Sequence, residues 1–572
     1  MFSGPSRSYP ESRKSLTGAL FLALLLSPLV SPLVVPFFSC PAFAGGAGVV
    51  NVDSGAADST RDRARHLLNR IAYGPRPGEI DMVVHKGTAR YIAEQLEPAS
   101  IKQPAALEQL VAKSPALTQT PGQLFMNYGK KPVMLAAGLN NKSDAGASKE
   151  ARENIQKQIR QNYMTMYQQI TDARLMRAVY SPRQLEEVLT EFWFNHFNVS
   201  FDKGLDHIWV GSYEEQAIRP HVLGKFRDLL SSTSHHAAML FYLDNWQNTT
   251  DKPQTQNVQK KRQGRFSGIN ENYARELMEL HTLGVDGGYS QADVIALARI
   301  LTGHGLVNRG GARMNMNKMK NNTMNMNMNR SRNIKEYGSA PQSALTSVNG
   351  YQFDRRRHDF SDKQFLGTVI KGEGQGELEK ALDILARHPA TARHISFKLA
   401  QYFVSDKPPQ ALIDRMAAKF RSTDGDIKEV LRVLLNSKEF WDSSAVATKY
   451  KSPYRYVVSS LRATDSVVKQ SRPIIGFLQI QGMPLYKCLT PDGYKYTEEA
   501  WLNPGGLLQR IEFATALGSG RHQAARPRQT GTELLEDIAG IGAASKTGQV
   551  IMKSHERLKT ALVLGSPEFM MY

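Results

Sequence analysis

The sequence predicts an all-α protein, or nearly so, with at most one small β-hairpin near residues 350–371. Three observations lead there. Apolar residues recur at three- and four-residue spacing over more than a dozen segments, the signature of helices with one buried face. Strand-like runs are confined to Tyr351-Gln352-Phe353 and Phe365 to Lys371. The 572 residues are 41% hydrophobic and 22% charged, ordinary globular usage that excludes wholesale disorder, collagen and a polytopic membrane protein.

Residues 1–44 read as a secretory signal: Arg7, Arg13 and Lys14, an apolar run from Leu16 to Phe38, then Ala42-Phe43-Ala44 before the cut. Pro28, Pro32 and Pro36 break any helix long enough to span a bilayer, so no transmembrane span is expected once the signal is removed. Residues 45–59 are expected to be a disordered start to the mature chain. Cys40 lies before the cut, leaving only Cys488, so no intrachain disulfide can form.

Helices are expected over Thr60 to Tyr73, Pro77 to Leu96, Lys149 to Tyr180, Pro182 to Phe197, Asn270 to Leu283 and Ser290 to Leu301. Ser181-Pro182 with Gln184, and Ser290 with Asp293, read as capping boxes. Further helices follow at Glu377 to Arg387, Pro389 to Phe403, Pro409 to Arg421, Gly425 to Asn436, Ser452 to Thr464, Glu498 to Leu517 and Lys546 to Leu564. A basic loop at 250–268 and a Met/Asn-rich low-complexity insert at 309–347 interrupt the pattern. The insert divides the chain into an N-terminal helical lobe, 60–308, and a C-terminal one, 348–572. Leu434 to Trp441 and Val563 to Met570 echo each other as a helix end followed by a Ser-capped turn.

The chemistry-bearing candidates are histidines on apolar faces. His281 falls among Tyr273, Ala274, Leu277 and Met278, with Glu271, Arg275 and Glu279 on the opposite stripe; His196 falls among Leu185, Val188, Leu189 and Phe192. A buried imidazole needs a hydrogen-bond partner or a metal, and burial favours the neutral form that serves as ligand or base. Two core histidines satisfied by carbonyls is one reading; a shared interhelical site is the other. The second takes His196, His281, Asp244 and His358 as ligands of a divalent metal and Glu276, His281 and Asp359 as catalytic groups, with Lys363 or Arg275 balancing anionic charge. The insert's Met-x-Met pairs would suit copper(I), but its composition reads as a solvated loop. Gly540 to Thr547 resembles a phosphate loop without the strand such a loop needs.

Lysine and arginine outnumber aspartate and glutamate by 72 to 53, a formal +19. The basic clusters Lys130-Lys131, Lys260 to Arg262, Arg355 to Arg357 and Arg521 to Arg528 are not interleaved with stacking aromatics, so nucleic acid is not expected. For an exported chain the surplus points to an anionic envelope polymer.

His66 to Arg70 with Tyr73-Gly74-Pro75, Phe192 to Phe197, Met239 to Asn245, Asn270 to Tyr289, His358-Asp359, Phe403 to Asp406 and Ser566 to Phe569 together resemble the bacterial domain-of-unknown-function family numbered 1800, over nearly the whole mature chain. The resemblance implies a mostly helical exported protein and no reaction, and by association a sulfatase-like exported partner. Two positions depart from the family pattern: Phe194 stands where a histidine is usual, and His304 where tryptophan is usual. The chain is expected to be an interaction or assembly factor of the cell envelope, in the periplasm or outside the cell; the alternative is a metal-dependent hydrolase acting on envelope glycan or ester substrates.

Overall fold

The computed structural model describes residues 60–129, 149–251, 268–306 and 350–572, apart from Thr530, Thr532 and Asp537. The expected signal at 1–44, the expected start at 45–59, the insert at 309–347 and the basic clusters at 130–131 and 260–262 fall outside the described residues. The described residues are mostly helical and belong to one compact unit.

Helices stand where the apolar period places them, at Thr60–Ile71, Lys149–Tyr180, Gln184–His196, Asn272–Glu279, Gln291–Ile300, Gly376–Arg387, Pro389–Phe403, Gln410–Ser422, Ile427–Leu435 and Pro453–Ala463. Three expected helices are broken by local chemistry. Pro77 to Leu96 splits into Glu79–Lys86 and Thr88–Gln95 at Gly87, whose φ of 85° no helix admits. Glu498 to Leu517 splits into Glu498–Trp501 and Pro504–Gly518, because Asn503 caps the second helix by accepting from Gly506 N at 2.7 Å and Pro504 takes its first position. Lys546 to Leu564 splits into Lys546–Lys553 and Glu556–Leu564, where the His555 ring caps Arg557 N. The Ser290 capping box forms, whereas Ser181 does not cap; the next helix starts at Gln184 without a side-chain cap. Both echoed turns form: Ser437 accepts from Phe440 N and Ser566 from Phe569 N, each at 3.2 Å, and both aromatic rings are buried.

Among the described residues three two-stranded antiparallel sheets are present rather than one hairpin. Strand β1 (His304–Leu306) pairs with β2 (Tyr351–Phe353) across the insert, β3 (Lys363–Phe365) with β4 (Thr368–Ile370), and β5 (Val467–Val468) with β6 (Ala525–Arg526). Tyr351 to Phe353 therefore pairs upstream, with a strand too short to leave a period.

The helix Gln184–His196 runs through the core and is buried on every side except at Glu186. Its polar residues are met one by one. Glu187 takes two bonds from Arg219 at 2.9 and 3.0 Å, and Glu191 accepts from the Tyr73 hydroxyl at 2.8 Å and the Tyr402 hydroxyl at 3.3 Å. Asn195 exchanges two 2.7 Å bonds with Tyr494 backbone, and the Trp193 indole donates to Val222 O. The helix Asp206–Ser212 crosses Lys149–Tyr180 at Gly211, where a Cβ would lie 2.5 Å from Ile170 and 2.6 Å from Ala116 O. It continues through a π turn, Tyr213–Ile218, that aims Glu214 at Arg174 (2.6 Å) and Glu215 at Arg177 (2.7 Å).

Segments distant in sequence close the unit. His66 Nε2 donates to Phe440 O at 2.7 Å, Arg462 pairs with Glu79 at 2.7 Å, and Tyr572 N donates to Lys449 O at 2.8 Å. Arg219→Ala strands a buried Glu187 carboxylate and is expected to cost about 3–5 kcal/mol in chemical denaturation. Arg356→Ala, at an ion pair whose arginine is 75% exposed, is expected to cost less than about 1 kcal/mol.

Candidate functional site

His196 sits in the last turn of the central helix, 4% exposed, and its Nε2 donates to the carbonyl oxygen of His281 at 3.1 Å. The two ring centroids are 6.2 Å apart. A third imidazole, His394 on the helix Pro389–Phe403, lies 6.2 Å from His196 and hydrogen-bonds the Leu280 carbonyl. Its approach requires Gly284 (φ +85°), since a Cβ there would stand 2.9 Å from His394 Nδ1. Lys398, one turn beyond His394, borders the cluster.

Burial pushes His281 down to about 3 and His394 to about 4, and holds His196 well below its ordinary value; the Lys398 ammonium adds to the effect on His196 and His394. The Nε2 atoms of His281 and His394 are buried without a hydrogen-bond partner. The charges acting on the three rings are Lys398 and the neighbouring imidazoles; no carboxylate is among them. The site is thus three neutral imidazoles in an apolar setting, able to accept protons or bind through nitrogen, without an acid to form a proton relay. Among the described residues no three histidine, cysteine or acidic side chains are placed to hold a metal ion.

The other candidate residues are engaged elsewhere. Glu276 is half-buried, its carboxyl raised by desolvation and by Glu279, while Arg275 spans Glu271 (3.2 Å) and Glu279 (3.3 Å) on the expected polar stripe. Asp244 pairs with Lys203 at 3.0 Å, and Asn248 donates to Ala298 O at 2.8 Å. His358 is buried between Thr302 O (2.7 Å) and Glu377 (2.8 Å), and Lys363, rather than balancing a substrate charge, is buried on the other Glu377 oxygen at 2.6 Å. Asp359 accepts from Ser361 N and the Ser361 hydroxyl, which hold its carboxyl below the ordinary range. Of the proposed ligands only His196 and His281 adjoin; of the proposed acid–base groups only His281 lies in the cluster. Glu377 and His394 carry no period or motif that marks them in the sequence.

Phe194 and His196 diverge, as residues two apart on a helix must. Phe194 faces a separate chamber with Glu191, Arg174, Tyr454 and Tyr486; the Arg174 guanidinium stacks 5.2 Å from the Phe194 ring. A histidine at 194 would face that chamber and could not join His196 on one metal. Cys488, a free buried thiol, also lines it.

The basic runs differ in fate. Arg355 to Arg357 form a short turn in which Arg357 donates to Trp246 O and Asn248 O and Arg356 pairs with Asp354. Arg521 to Arg528 is different, because the β5–β6 ladder and the Lys469 N to Ala524 O bond (2.8 Å) lay it beside Lys469 and Arg472. Lys469, Arg472, Arg521 and Arg526 are exposed, and none has an ion pair among the described residues. Lys469 and Arg472 border an open groove with Gln168, Asp172 and Met176. The nearby acids are occupied: Asp172 by Gln168 and Ser471, Asp465 by Arg76.

The buried imidazoles set a pH dependence. His66 and His394 are lowered to about 4, His236 and His281 to about 3, and His196 and His304 well below 6.5, all chiefly by burial. In the unfolded chain each titrates near about 6.5. The folded state therefore holds fewer protons between these values: the contribution to stability is complete above about pH 6.5 and is lost as pH falls toward 4, by about 1.4 kcal/mol per histidine per pH unit. Denaturation midpoints are expected to drop steeply between pH 6.5 and 5; a flat profile there would contradict buried neutral rings.

A family model described as "Protein of unknown function (DUF1800)" matches residues 66–571. No curated protein and no solved structure matches the chain. The match runs from the first helix to the last turn, and the chain therefore belongs to the DUF1800 family.

Proposed function

We propose that this protein is an exported helical component of the cell envelope that acts as an interaction or assembly factor, holding an anionic envelope polymer. The observation that carries the reading is the edge formed at β5–β6, where the exposed cations Lys469, Arg472 and Arg526 have no ion pair among the described residues and the first two border an open groove. Such a strip attracts polyanions over about a Debye length and releases them as salt rises. The N-terminal export pattern puts acidic envelope glycan and lipopolysaccharide within its reach.

A metal-dependent hydrolase is the second reading, favoured by the unpartnered Nε2 atoms of His281 and His394. Against it, Glu276, Asp359 and Asp244 are not brought to those rings, and among the described residues no three side chains are placed to hold a metal ion.

Full-length mature protein titrated with lipopolysaccharide is expected to bind at about 50 mM salt and to weaken at least tenfold by about 300 mM. The double variant Lys469→Glu, Arg526→Glu is expected to lose most of that binding with its thermal midpoint kept. Absence of binding at low salt, or undiminished binding by the variant, would contradict the proposal. Ester or glycan hydrolysis abolished by His281→Gln would transfer support to the hydrolase.

A further inference from the structure

The groove beside the β5–β6 edge is lined by three segments distant in sequence: Gln168, Asp172 and Met176 on Lys149–Tyr180, Leu110 on the helix Ala105–Ala112, and the run Lys469 to Arg472. Its volume is about 340 Å³, which gives room for a sugar ring.

The lining carries both signs of charge, and the two do not cancel. Gln168 Nε2 donates to both oxygens of Asp172, at 2.8 and 2.9 Å, and to the Ser471 hydroxyl at 3.1 Å; that hydroxyl in turn donates to Asp172 Oδ1. These bonds hold the carboxylate in place without giving it a cation. Asp172 has no ion pair among the described residues, and neither have Lys469 and Arg472 across the same groove. A carboxylate accepts about four hydrogen bonds. Three are taken at Asp172, so it can accept one more. The Gln168 carbonyl oxygen and the exposed Gln470 side-chain amide have no hydrogen bond among the described residues.

This combination discriminates among anionic polymers. A phosphate or sulfate chain needs only cations and donors, and a carboxylate without a cation beside it repels such a chain. A carboxylated sugar needs more. Its acid group is met by cations, a guanidinium matching it bidentately, while its hydroxyls must both donate and accept. Asp172 and Gln168 supply acceptors, Gln470 supplies both kinds of group, and Leu110 and Met176 give apolar surface for the C–H face of a ring.

We propose that this groove binds hexuronate units of an acidic polysaccharide, with Lys469 and Arg472 meeting the sugar carboxylate, Asp172 and Gln470 meeting the ring hydroxyls, and Asp172 disfavouring phosphate chains. This rests on the reading of the edge as a holder of anionic polymer, and it narrows that polymer to a carboxylated glycan.

Full-length mature protein is titrated calorimetrically at about 50 mM salt with tetragalacturonate and with tripolyphosphate, an oligomer of similar charge. Wild type is expected to bind tetragalacturonate roughly tenfold more tightly, the worth of one hydrogen bond to a charged group. Asp172→Asn is expected to weaken tetragalacturonate and strengthen tripolyphosphate, and Gln470→Ala to weaken tetragalacturonate alone. Equal affinity for the two, or a preference for tripolyphosphate, with both lost in Lys469→Glu, Arg526→Glu, overturns the uronate site and leaves the polymer-holding edge standing; no binding of either overturns both. A preference that survives unchanged in Asp172→Asn and Gln470→Ala also overturns the site. Gln470 is exposed, so its variant decides should Asp172→Asn not fold.

Discussion

The structure depends on burying a helix that carries too many polar groups to be buried alone. Gln184–His196 is enclosed on nearly every side, yet its buried residues include two carboxylates, two amides, a hydroxyl, an indole and an imidazole. Each must find a partner or forfeit the cost of desolvation. The partners come from distant parts of the chain: Tyr73 from the bend after the first helix, Arg219 from the turn after the π segment, His281 from the loop beyond Asn272–Glu279, Tyr402 from Pro389–Phe403 and Tyr494 from a C-terminal loop. Those five contacts fix where the surrounding segments sit. The histidine cluster is one consequence, since His196 draws the His281 carbonyl to itself and brings the His281 ring with it.

The same logic distributes charge. Several carboxylates inside the unit are paired, Glu187 with Arg219, Glu214 with Arg174, Glu377 with Lys363 and His358, Asp406 with Lys449, whereas the buried Asp206 carboxyl has no hydrogen-bond partner among the described residues. Cations are left over at the surface along β5–β6. Much of the formal +19 lies outside the described residues, since segments 252–267 and 307–349 hold twelve lysines and arginines against one acid. The charges acting on the three neutral rings are Lys398 and the neighbouring imidazoles.

Helices whose burial is one-sided were legible, because a period of 3.6 survives in Thr60–Ile71 and Ile427–Leu435. Breaks within helices were not: Gly87, Asn503-Pro504 and the unusual His555 cap act through one or two residues each. The inward direction of His196 and His281 followed from their helical neighbours. That they adjoin did not, since it arises from a contact 85 residues apart in sequence. His394 was invisible for the same reason, and Glu377 gives no hint in sequence that it will collect both His358 and Lys363. The basic edge was half legible: Arg521 to Arg528 stands out as a run, but only the two-residue ladder β5–β6 reveals Lys469 and Arg472 as its neighbours.

Native-state hydrogen exchange of the amides in residues 184–196 tests the central claim most directly, that this helix is locked by partners from five distant segments. Those amides are predicted to exchange only through global unfolding, in the slowest class of the protein and with the full denaturant dependence of unfolding. Exchange of this helix through a local opening, faster than that of the helices around it, would contradict the account.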